Sequence, residues 1–418
     1  MKLITTTALA LVSGLMAVPA AAQYESSAPR QTAPAPVPQQ PAQAQPKITP
    51  SSKAIKAIID LQAAVNKNDY ASVPAKVAAA QAVASTKEDK YLIGQLQLKA
   101  ALAAKDNAGM AAAIDQIGSS GYLDATKTGE LYTSLGSTLY NNKQYAQAAA
   151  AYQKALTVDP RNTEAPGLLG EALLVQGQKA EAVTAFQRAV QIQAVSGKKP
   201  DEALIKRALS VAYEAQSPVA LELGRQWIAA YPGPESWHNA IAIYRNMSHP
   251  DVEGTLDLLR LMQAAGALNT ASDYALFARA SAEQSNFNEA QAVLDAGIAA
   301  KLVNPADPQF RDIVSGLKSK AKATPADLAV ATKTAANGNA LLRIGDRYYA
   351  MGDYAKAVEA YRLAVGKPGV DEAVLNLHIG MALARSGDKA GSIAALNAVT
   401  GPRAEIAKFW LTYVNQKA

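Results

Sequence analysis

The 418-residue chain contains no cysteine, only three histidines and few aromatic residues, 6% of the total. Without thiols it can form neither disulfides nor thiolate metal sites, and no lipid can be joined to a cysteine behind an export signal. His238, His249 and His378 stand far apart, with no ligand-type spacing to one another or to carboxylates. That predicts no metal centre, no histidine-activated nucleophile and no cofactor. There is no glycine-rich phosphate loop and no serine elbow. Lys and Arg exceed Asp and Glu by 41 to 35, a net charge of +6 that is mild for this length. No dense basic run suits nucleic acid. The strongest local excess, Arg311, Lys318, Lys320 and Lys322, reads as a solvated helix face.

Long apolar runs are also missing, except at the start. Lys2, an apolar run from Ala8 to Val18, and Ala20, Ala21 and Ala22 before Gln23 match the three parts of a secretory signal. Residues 1–22 are therefore expected to be cleaved after Ala22, leaving a mature chain in the periplasm with no transmembrane segment. Pro29, Pro34, Pro36, Pro38, Pro41, Pro46 and Pro50, interleaved with Ala and Gln, mark 23–50 as a disordered tether unable to bury a core.

What remains is rich in alanine and periodic. From Gly129 to Asn162, Tyr132, Leu135 and Leu139 keep an i, i+3, i+7 stripe, and Ala148, Tyr152 and Ala155 keep i, i+4, i+7. Two such stripes separated by a polar break predict a helical hairpin. Gly136 and Ala148 leave room for close helix approach, and Tyr152 fills the space between. Asp159 and Pro160 end the second helix. Gly170 follows Gly136 by 34 residues, with Leu169, Leu173, Ala182, Phe186 and Ala189 in matching places. Gly345, Tyr348, Ala357, Tyr361 and Ala364 repeat the order, and Gly380 opens a worn copy with Leu383, Ser392 and Leu396.

The pattern resembles the tetratricopeptide repeat (TPR). The fold expected is all-α, an α-solenoid (superhelix) of about ten TPR or TPR-like helical hairpins with a C-terminal capping helix, because a lone hairpin cannot bury its apolar face. Degenerate hairpins are assigned to 51–128, two clear TPRs to 129–196, degenerate hairpins to 197–337 with a weaker TPR copy at 271–304, two TPRs to 338–402, and the cap to 403–418. Pro232, Pro234 and Pro250 mark joints between helix pairs at 201–215 with 217–230 and at 234–247 with 250–265.

The resemblance implies a non-enzymatic scaffold that binds peptide or helical segments of other envelope proteins in the groove lined by each repeat's first helix. Carried across, the groove residues are Thr133, Ser137, Tyr140, Asn141 and Glu171, then Leu342, Asp346, Tyr349, Leu377, Met381 and Arg385. Thr133 and Ser137 stand where a carboxylate-clamp TPR has lysine and asparagine, so the C-terminal carboxylate of a chaperone is not the expected ligand. Leu342, Tyr349, Leu377 and Met381 suggest an apolar seat for an amphipathic helix.

The alternative is a glycan-handling protein of polysaccharide export or peptidoglycan turnover. Glu235-Ser236 followed by Leu261-Met262-Gln263 bears some similarity to lytic transglycosylases. No glycine precedes Leu261, however, and Leu258, Leu259, Leu261 and Met262 read better as a core stripe. His249-Pro250-Asp251 matches the J-domain tripeptide, but Pro250 opening a helix before an acidic first turn accounts for it.

Overall fold

The computed structural model describes residues 48–320 and 322–417, so the expected signal and most of the tether lie outside the described residues. Among the described residues the chain is all-α, with 21 α-helices, one short 3-10 turn and no strand. It divides into two compact units after Ile192, in the last turns of α8.

The first unit pairs α1 (Ile55–Asn66) with α2 (Val73–Val83), α3 (Lys87–Ala104) with α4 (Asn107–Ser119), α5 (Ala125–Asn141) with α6 (Tyr145–Val158), and α7 (Ala165–Val175) with α8 (Lys179–Val195). The second continues with α9 (Glu202–Glu214) and α10 (Val219–Ala230), α11 (Pro234–Ser248) and α12 (Val252–Ala264), α13 (Ala271–Glu283) and α14 (Phe287–Ala299). It is completed by α15 (Pro308–Lys318) and α16 (Pro325–Thr334), α17 (Gly338–Ala350) and α18 (Tyr354–Ala364), α19 (Glu372–Ser386) and α20 (Lys389–Asn397), and finally α21 (Ala404–Gln416).

Local chemistry sets these boundaries. Thr86, Thr270 and Thr324 each cap a helix through a reciprocal box with Asp89, Asp273 and Asp327. Asp106, Asp124, Asp201 and Asp371 accept from the first-turn backbone of α4, α5, α9 and α19. Turns inside the hairpins recur in one form. A residue with positive φ, such as Lys105, Lys143, Gln216, Ser285 or Gly352, ends the first helix. The next N–H then bonds a carbonyl five residues back, as in Gln144 to Leu139 at 2.9 Å and Asp353 to Tyr348 at 3.0 Å.

Close helix approach depends on glycine where the repeat pattern places it. A Cβ on Gly136 would lie 2.5 Å from the Tyr152 ring, one on Gly170 2.8 Å from Phe186, and one on Gly345 would strike Tyr361. Gly136→Val should therefore destabilise the first unit by about 1–3 kcal/mol through overpacking. Gly316→Ala on α15, where a Cβ meets nothing within 4 Å, should instead stabilise by about 0.5–1 kcal/mol. Chemical unfolding followed by helix circular dichroism checks both signs; equal shifts would refute the packing argument.

In the second unit one hydrophobic core runs from Ile228 to Val414. The terminal helix does more than cap the last hairpin. It packs on α19 and α20 and also returns to α10 and α12, and its rings meet α11 through Trp237–Tyr413 and Tyr244–Phe409, with centroids 6.3 and 5.6 Å apart. An expected detail also changes at α12. Asp251, rather than Pro250, starts the helix, accepting from Gly254 N at 2.8 Å.

Candidate partner-binding surfaces

The residues expected to line a groove separate into two groups. In the first unit they lie on α5 and α7. Thr133 is buried, donating to Gly129 O at 2.9 Å and accepting from Asn162 Nδ2 at 3.2 Å. Ser137 is half-buried and donates to Thr133 O at 3.1 Å, with Tyr152 Oη at 3.3 Å. Tyr140 is half-buried, set edge-on to Tyr145 with centroids 5.2 Å apart. Asn141 is exposed and Glu171 half-buried.

On α17 and α19 the expectation of an apolar seat meets a different arrangement. Leu342 and Tyr349 keep only 3% and 6% of their surface, and Leu377 and Met381 keep none. These side chains offer no open groove in this structure, because α12, α14 and α21 pack across the faces of α17 and α19. Arg385 alone of this group remains half-buried, its guanidinium 5.1 Å above the Tyr354 ring.

Charge sits where an open groove would have held solvent. Asp346, an expected groove residue, is buried on α17 and accepts from Tyr361 Oη at 2.9 Å. His378 on α19 lies between two carboxylates, Nδ1 2.8 Å from Asp346 Oδ1 and Nε2 3.1 Å from Asp257 Oδ1. Burial alone would lower the imidazole's pKa, but Asp257 and Asp346 outweigh it and raise the pKa to about 10. Burial would likewise raise the Asp346 carboxyl, yet His378, Arg260 and Arg343 bring it down to about 2. Arg260, fully buried on α12, forks onto Glu289 of α14 at 2.8 and 3.0 Å. Its guanidinium also lies 4.9 Å from the Tyr349 ring centroid and 3.5 Å from Asp257.

Sequence reading missed this network, although a signal was there. Asp257 and Arg260 interrupt the Leu256 to Met262 stripe at i, i+3, and His378 interrupts the apolar run of α19. A charge on an otherwise apolar helix face needs a buried partner from elsewhere. The stripe residues Leu258, Leu259, Leu261 and Met262 are themselves buried. Glu235, of the Glu235-Ser236 string, is exposed and ion-paired with Lys206 at 2.9 Å.

The returning α21 is held at its rim by charge. Arg403 donates to Asp251 at 2.7 and 2.9 Å and to Glu253 at 3.2 Å, Glu405 pairs with Arg225, and Gln416 donates to Ile228 O at 2.8 Å. Among the described residues no group of three or more His, Cys, Asp or Glu side chains is placed to hold a metal ion, and no helix is long and apolar enough to cross a membrane.

A tetratricopeptide-repeat family model matches residues 133–198 and 342–405. Those segments run from within α5 through α8 and from within α17 through α20, and include Gly136 with Tyr152, Gly170 with Phe186 and Gly345 with Tyr361. Similar solved structures include Pseudomonas aeruginosa pilF, at 12% identity over 63% of this chain and 97% of that one, with a TM-score of 0.23. A tetratricopeptide repeat protein from Parabacteroides merdae is 12% identical over 88% of this chain and 100% of that one, with a TM-score of 0.22. A chain of Naa15/Naa10 bound to HypK-THB is 13% identical over 76% of this chain and 63% of that one, with a TM-score of 0.28. At these scores the likenesses carry no functional argument. No curated protein sequence matches the chain.

Proposed function

Because the chain is a tetratricopeptide-repeat protein, we propose that it is an exported, non-enzymatic scaffold holding protein partners of the cell envelope on the α5 and α7 face of its first unit. One contrast carries this reading. Ser137 and Tyr140 keep exposed surface on α5, whereas Met381 and Tyr349, which hold the same repeat positions in the second unit, are buried by the protein itself. Small polar groups around an amphipathic ring suit an extended peptide, which offers backbone N–H and C=O groups to Ser137 and Asn141 and a side chain to Tyr140. Export rests on the Lys2, Ala8–Val18 and Ala20–Ala22 pattern.

The test has two independent parts. Osmotic-shock fractionation should release a chain whose N-terminus is Gln23; a chain retained in the cytoplasm with Met1 intact refutes export. Envelope extract passed over the mature chain, over Ser137→Arg/Asn141→Arg and over a control, Thr184→Arg at an exposed position of α8, should lose its bound partners only with the double variant. Equal recovery on all three refutes the face.

A further inference from the structure

The first helices of the hairpins that open the second unit are joined side chain to side chain. Lys206 of α9 pairs with Glu235 of α11 at 2.9 Å, Asn246 Nδ2 of α11 donates to Tyr213 Oη of α9 at 3.4 Å, and His238 of α11 meets Asp273 of α13 at 3.2 Å. This face stays open where that of α17 and α19 is covered. Lys206, Tyr213, His238 and Arg245 are half-buried, and Glu235 and Asn246 are exposed.

Charge on this face is answered within the chain except at Arg245. Arg225, Arg260, Arg343 and Arg403 elsewhere in the unit are each held by carboxylates. Arg245 is half-buried, yet its guanidinium makes no hydrogen bond or ion pair with any described residue. Burial pulls its pKa down, and Asp273 attracts it only from a distance. That carboxylate bonds Thr270 and His238 instead. A cation in the last turn of α11 gains from the helix dipole, which accounts for a positive charge there but engages none of the guanidinium's N–H donors. Beside it, Asn246 spends an amide N–H on Tyr213 and keeps Oδ1 as an acceptor.

We propose that the face of α9, α11 and α13 is a second docking surface, and that its occupant is an extended protein segment whose aspartate or glutamate side chain is received by Arg245. The carboxylate supplies the counter-charge that the chain itself withholds. The backbone N–H of the same residue reaches Asn246 Oδ1, a donor that a sugar acid lacks. An arginine kept partly buried and unpaired costs stability, and recognition of an outside anion is the return for that cost. The surface is separate from the α5 and α7 face and stands or falls without it.

The probes are pools of short fluorescent peptides, randomised except for a central Glu, Asp, Gln or Lys, titrated into the full chain and read by anisotropy. The Glu or the Asp pool should bind at least about tenfold more tightly than the Gln and Lys pools, the worth of a charge-assisted bond to a partly buried cation. Arg245→Met, which keeps most of the stem, should abolish that preference. Its thermal midpoint should stay level or rise, because a stranded charge has gone. Ser137→Arg/Asn141→Arg should leave the preference unchanged. Equal binding of all pools, a preference that survives Arg245→Met or is lost in the Ser137→Arg/Asn141→Arg chain, or a fall in the thermal midpoint of Arg245→Met overturns the proposal. So does Arg245-dependent binding of oligogalacturonate without binding of the acidic pools.

Discussion

Arg260→Met should destabilise the second unit by about 3–5 kcal/mol, the cost of leaving buried carboxylates without their counter-charge. The replacement fills much of the same volume, so the loss reports charge more than packing. Glu289 would keep Ser281 Oγ at 3.2 Å but lose both guanidinium bonds, and Asp257 would keep only His378. Trp227, Trp237 and Trp410 are the three tryptophans of the chain and all lie in the second unit. Intrinsic fluorescence therefore follows this unit selectively, and the thermal midpoint should fall by roughly 10 °C. Arg260→Met/Glu289→Gln should recover part of the loss, because it removes one stranded charge. A single variant as stable as the parent would show that the network contributes nothing once formed.

His378→Gln should cost a comparable amount at pH 6 and almost nothing above pH 10. The direction follows from proton linkage. With the folded pKa at about 10 and the ordinary value at 6.5, the folded protein keeps a proton that the unfolded chain releases. Its contribution is complete below pH 6.5 and disappears as pH rises through 10, amounting to on the order of 4 kcal/mol. Lysines and tyrosines that titrate in the same range are common to both proteins and cancel in the difference. Denaturant unfolding from pH 6 to 10.5, read by tryptophan fluorescence, should show the gap between parent and variant closing across that window. A gap constant with pH would sink the assignment of a charged His378. The acid limb has the opposite sign. Asp346, held at about 2 against an ordinary 3.8, stabilises above pH 3.8 and loses that effect as pH falls through 2.

The same charges explain why the site was only half readable. Gly136 with Tyr152 and Gly345 with Tyr361 announce helical hairpins because both members sit in one repeat, about 16 residues apart, and local periodicity fixes their relation. Asp257, Arg260, Glu289, Asp346 and His378 come from α12, α14, α17 and α19. No fixed spacing links them, so each looks like an isolated charge until the helices assemble. Leu342, Tyr349, Leu377 and Met381 form an apolar set in the sequence, but a stripe does not say what will cover it.

Sequence alone determined the helices, their pairing into hairpins, the turns between them and the glycine–aromatic contacts, since all of these follow from interactions within one repeat length. Tertiary structure decided which inner faces stay open. That outcome depends on α21 returning across some 150 to 190 residues of chain to Asp251, Glu253, Arg225 and Ile228, and on buried charges meeting between helices that no local pattern connects.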